Sequence, residues 1–117
     1  MRNSPMHIIS KLVLVLAAFF GNVAMVNAER HADEALKHAE QAAHSKEDSA
    51  TVQEHATEAL KHIDAAKAAG QPNREKLKHL LHGEKDLKDA IEHSRHFNSP
   101  SASEEAQDAA QHLEKAK

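Results

Sequence analysis

Thr51-Val-Gln-Glu-His55-Ala-Thr-Glu-Ala-Leu-Lys-His62-Ile-Asp-Ala-Ala66 is the stretch from which the fold can be read. Val52, Ala56, Ala59, Ile63 and Ala66 recur alternately four and three apart, which places them on one stripe of an α-helix. The stretch holds no glycine or proline, and alanine, its commonest residue, is the strongest helix former. Ala32, Ala35, Ala39 and Ala42 draw the same stripe further upstream. An all-α protein follows, and the stripe leaves the histidines beside it to be explained.

Those histidines belong to an eight-residue phrase that occurs four times: His31-Ala-Asp-Glu-Ala-Leu-Lys-His38, His55-Ala-Thr-Glu-Ala-Leu-Lys-His62, Asp86-Leu-Lys-Asp-Ala-Ile-Glu-His93 and Glu105-Ala-Gln-Asp-Ala-Ala-Gln-His112. The fourth residue is always Glu or Asp, the fifth always Ala and the eighth always His. In heptad terms the second and fifth residues fill the seam, so the first and eighth flank it.

Helix ends are marked as well. Thr51-x-x-Glu54 and Ser101-x-x-Glu104 have the form of capping boxes, and Gly70-Gln-Pro72-Asn73 reads as a stop, a turn and a new N-cap. The expected helices cover about 30–46, 51–69, 74–97 and 102–116, with Phe97-Asn-Ser-Pro100 dividing the last two. Connections of roughly four to six residues favour antiparallel neighbours, hence an up-down four-helix bundle.

Residues 1–28 have the form of a cleaved secretory signal: basic Arg2 and Lys11, an apolar run from Leu12 to Met25, and small residues Val26 and Ala28. The expected mature domain is 29–117, in the periplasm, with no stable membrane association after cleavage. It carries 18 acidic groups against 13 Lys and Arg, a net charge of −5 with histidines neutral, which disfavours nucleic acid as a partner. No cysteine occurs, and all three methionines precede residue 29, so thiolate and thioether ligands are excluded from the mature domain. Ten histidines remain there against only eleven large apolar residues, Leu36, Val52, Leu60, Ile63, Leu77, Leu80, Leu81, Leu87, Ile91, Phe97 and Leu113, so the core is thin.

Imidazole and carboxylate without sulfur suit Cu(II), Ni(II) and Zn(II), with Cu(II) bound tightest in the Irving–Williams order. The fourth and eighth residues of each phrase share a helix face, pairing Glu34 with His38, Glu58 with His62, Asp89 with His93 and Asp108 with His112. His31 and His38, like His55 and His62, stand seven apart, about 10.5 Å along a helix, too far for one ion unless a neighbouring helix contributes. His79/His82 and His93/His96 are spaced i, i+3, which makes the third helix the expected place for an intrahelical site, with Asp86 one turn beyond His82. His44 completes the set of ten.

Cleavage after Ala28 would also expose Glu29-Arg30-His31 with a free α-amine, a motif that resembles the amino-terminal copper and nickel site of serum albumins. Amine, two backbone amides and imidazole supply four nitrogens in a plane, as Cu(II) and Ni(II) prefer.

Asp33-Glu-Ala-Leu-Lys-His38-Ala-Glu40, His82-Gly-Glu-Lys-Asp-Leu-Lys-Asp-Ala-Ile-Glu-His93 and Ala106-Gln-Asp-Ala-Ala-Gln-His-Leu113 resemble the periplasmic small metal-binding protein family, His-rich four-helix proteins associated with copper. The resemblance implies binding of several divalent metals and a buffering or detoxifying role outside the cytoplasm. It assigns ligand roles to His31, His38, His55, His62, His82, His93 and His112. Asp86 and Glu105 depart from it, standing where histidine is expected, which implies lower capacity there. Enzymatic action is not expected. The competing expectation is a periplasmic helical chaperone or interaction protein that holds partners on Leu36, Leu60, Leu77 and Ile91, with histidines as pH sensors.

Overall fold

The computed structural model describes residues 25–117, so the signal expected over 1–28 falls almost wholly outside the described residues. Four helices follow one another: α1 over 25–44, α2 Ser49–Ala69, α3 Arg74–Arg95 and α4 Ser99–Lys115. They pack as a bundle, and no strand occurs among the described residues. No helix of the described residues is long and apolar enough to cross a membrane.

The seam lies where the periodicity puts it. Val52, Ala56, Ala59, Ile63 and Ala66 are all buried, and so are Ala35, Ala39 and Ala42. Every fifth residue of the phrase (Ala35, Ala59, Ala90, Ala109) is inaccessible, as are Ala56, Leu87 and Ala106 among the second residues. Among the described residues only four large side chains are fully buried, Val52, Ile63, Leu87 and Leu113. Alanine at the remaining positions lets the helices approach closely, and that approach determines what their flanking side chains can reach.

One further device tightens the α3–α4 contact. A Cβ at Gly83 would stand 3.1 Å from Leu113 Cδ2, so the missing side chain makes room for the largest buried residue of α4. Leu36, expected on an open edge for a partner, is instead 7% exposed in the core, and Leu60 and Ile91 pack against it. The bundle thus covers Leu36 and part of Leu60 and Ile91 itself, while Leu77 is half-buried.

Helix ends differ from the expected capping boxes by three residues. Asp48, not Thr51, caps α2: its carboxylate accepts from the N–H groups of Ala50 and Thr51 and from the Thr51 hydroxyl. Those bonds hold its pKa below the ordinary carboxylate value, the Thr51 hydroxyl foremost. Asn98, not Ser101, caps α4, so Pro100 lies in the first turn, where a missing N–H costs nothing. Asn73 caps α3 as expected. α3 stops at Arg95 because Phe97 takes the left-handed conformation (φ 57°) and the Asn98 N–H returns to the His93 carbonyl at 2.9 Å.

Cross-helix pairs reveal the register. His31 meets His62 and His38 meets His55 across α1 and α2; His79 meets His112 across α3 and α4. Both hairpins are therefore antiparallel. Their loops lie at one end of the bundle, tied by the Ser49 and Ser99 hydroxyls at 2.5 Å, and Lys67 reaches Glu84 at 3.3 Å to join α2 to α3.

Candidate metal centre

Residues flanking the seam are neither buried nor free. His31, His38, His55, His62, His79, His93 and His112 are all half-buried, held at the helix-helix margin by the alanines beside them. Because α1 and α2 run antiparallel, His31 and His38 of α1 interleave with His55 and His62 of α2 into one row.

That row reads His31, His62, His38, His55, with successive ring centroids 5.3, 5.6 and 5.6 Å apart. Nδ1 of His31 lies 3.1 Å from Nδ1 of His62, and Nδ1 of His38 lies 3.3 Å from Nδ1 of His55. Two nitrogens bound at about 2.0 Å to one ion stand about 2.8 Å apart at a right angle and about 3.3 Å apart at a tetrahedral one. Both pairs thus stand at chelating distance. Without an ion each pair is a hydrogen bond, in which one ring must carry its proton on Nδ1.

Glu34 joins this row. Its carboxylate, His38 and His62 offer ligand atoms all within 4.8 Å of one another. Glu58, the corresponding acid on α2, is diverted: Lys61 Nζ donates to it at 3.0 Å and holds its pKa below the ordinary value. Both acids have a lysine three residues on, Lys37 and Lys61, but only Lys61 is folded back onto its acid, so two acids in equivalent phrases have different neighbours.

The second hairpin repeats the register with different chemistry. His112 Nδ1 lies 3.5 Å from His79 Nδ1, its ring is 4.9 Å from that of His82, and its Nε2 is 3.9 Å from Asp86. One heptad along, where α1 and α2 set His38 against His55, α3 and α4 set Asp86 against Glu105. With Asp89 these carboxylates form a group within 4.8 Å. The two departures from histidine thus face each other, a relation that their separation in sequence conceals.

Electrostatics mark the same place. Burial raises the pKa of Asp86, with Asp108 and Asp89 adding to the rise and His112 opposing it. Glu105 is raised by burial and then by Asp86, Asp89 and Asp108. His112 is lowered, chiefly by burial, and so favours the neutral form that a metal requires.

Other expected ligands are placed apart. His93 and His96 do not converge: His96 is exposed and bonds Glu92 at 3.1 Å. His44 turns to the Glu40 carbonyl at 2.6 Å. Asp89, although grouped with Asp86 and Glu105, also pairs with Lys85 at 3.3 Å, and Asp108 is exposed. His79 and His82 gather around His112 on α4, so that grouping spans two helices. Glu29 and Arg30 lie within α1, and His31, which the amino-terminal motif needs, already stands against His62. Glu105, which the sequence marks only as a departure from histidine, comes within ligand range of Asp86 and Asp89, a nearness that only the register shows. An apolar cavity of about 450 Å³ between the start of α1 and Gly70–Lys76 contains no histidine.

Comparison with known families matches residues 6–116, nearly the whole chain, to the family described as small metal-binding protein. The chain belongs to this family. Its membership and its histidine and acidic groups together support metal binding. No curated protein matches the chain.

Proposed function

We propose that this small metal-binding protein binds and buffers divalent transition metals outside the cytoplasm, Cu(II) before Ni(II) and Zn(II), in metal homeostasis or resistance. The observation that carries this proposal is the interleaved row His31, His62, His38, His55, with two Nδ1 pairs at 3.1 and 3.3 Å. Imidazole nitrogens in that number favour Cu(II) over Zn(II) by the Irving–Williams order. Several half-exposed groupings spread along two hairpins suit storage and exchange better than turnover at one enclosed centre. The form of residues 1–28 supports export, and the family supports the metal.

Competition dialysis with equimolar Cu(II), Ni(II) and Zn(II) tests the preference: Cu(II) is expected to displace the other two, and retention of Zn(II) against Cu(II) would overturn it. Cell fractionation with N-terminal sequencing tests the location. An exported chain beginning at Glu29 is expected, and an uncleaved chain in the cytoplasm would refute it.

A further inference from the structure

His38 and His62 each belong to two groupings at once, while His31 and His55 stand at the ends of the row and belong to one each. A neutral imidazole has a single nitrogen lone pair, so it ligates one ion at a time. The three-ligand group of Glu34, His38 and His62 therefore cannot be filled together with the pairs His31/His62 and His38/His55. We infer that the α1–α2 face loads in two mutually exclusive ways: one ion held by Glu34, His38 and His62 when metal is scarce, and two ions held by His31/His62 and His38/His55 when metal is abundant.

Ligand number sets the order. The first ion gains two imidazoles and a carboxylate, and among the described residues no lysine or arginine pairs with Glu34. Glu58 is the less available of the two acids, because Lys61 pairs with its carboxylate. Each ion of the two-ion state has only two imidazoles from the row, so it is held less tightly, but the face then carries twice as much. Converting one state into the other exchanges the partners of His38 and His62 without moving a helix, since each ring already touches both sets of neighbours. Capacity thus rises with supply while the last ions added remain the easiest to remove. This inference rests on the metal-binding proposal and assigns the row its order of filling.

Cu(II) titration of the tag-free protein, followed by equilibrium dialysis and by the nitrogen hyperfine pattern in electron paramagnetic resonance, tests it in four proteins. Glu34→Gln should weaken the first ion by at least about tenfold and leave total uptake unchanged. His31→Ala/His55→Ala should hold the first ion within about twofold of the parent and lose one ion at saturation. His38→Ala/His62→Ala should lose the tight first ion and two ions at saturation. The inference is overturned if Glu34→Gln leaves the first ion unchanged, if the end-histidine variant weakens that ion as much as the central one does, or if the central variant binds like the parent. Those outcomes leave metal binding itself intact, whereas failure of the parent to bind Cu(II) would sink the underlying proposal as well.

Discussion

Replacing His62 by alanine removes the ring that meets His31 at 3.1 Å and also belongs to the group with Glu34 and His38. Replacing His44 removes a histidine whose ring only contacts the Glu40 carbonyl. Both substitutions delete one imidazole, so a protein that binds metal simply through its histidine content should respond to them equally. Geometry predicts otherwise. An ion present at a hundred times its dissociation constant stabilises the fold by about 2.7 kcal/mol, and a tenfold weaker site at the same concentration gives about 1.4 kcal/mol. For a helical unit of this size those figures correspond to rises in Tm of about 11–22 °C and about 6–11 °C. Thermal unfolding followed by circular dichroism, with and without Cu(II), should therefore show the metal-induced rise roughly halved in His62→Ala and unchanged in His44→Ala. Equal losses in the two variants would refute the geometric argument.

Three further outcomes follow from the packing and the electrostatics. Leu113→Ala empties a fully buried position against Gly83 and should destabilise the apo protein by about 2–5 kcal/mol, read as a fall in urea midpoint. Asp86 and Glu105 have folded pKa values above their ordinary ones, so their ionisation opposes folding, and this cost disappears as pH falls through the raised values. Asp86→Asn should consequently raise apo stability at pH 7 by about half a kcal/mol and flatten its dependence below pH 6, both measurable by urea melts. His112 has a folded pKa below its ordinary value, so the unfolded chain takes the proton first and stability declines as pH drops below about 6.5. Comparing melts at pH 7.5 and 5.5 should show a smaller decline in His112→Gln.

Period and spacing carry local information, and the local part of the structure was accordingly legible. Seam alanines, the half-burial of the first and eighth residues, the Asn73 cap and the four-helix bundle all follow from neighbours within two turns. Cross-helix register does not. Whether Asp86 faces Glu105, or His62 lies between His31 and His38, depends on how two helices slide past each other, which loop length constrains only loosely. The i, i+4 acid–histidine rule applies equally to Glu34 and Glu58, and each has a lysine three residues on, yet only Lys61 pairs with its acid, a competition that pairwise spacing does not rank. Capping was misplaced for a similar reason. Asp48 and Asn98 stand three residues before Thr51 and Ser101, and a capping-box pattern fixes on the later hydroxyl when the earlier side chain is the stronger acceptor.

Uptake of Cu(II) by the tag-free protein at pH 7.5, counted by equilibrium dialysis, bears on all of this at once. More than one ion per chain, bound with nitrogen hyperfine structure and lost on acidification below pH 6 as the imidazoles protonate, is the expected result. No uptake, or uptake indifferent to pH between 5 and 7.5, would contradict binding through the histidine row.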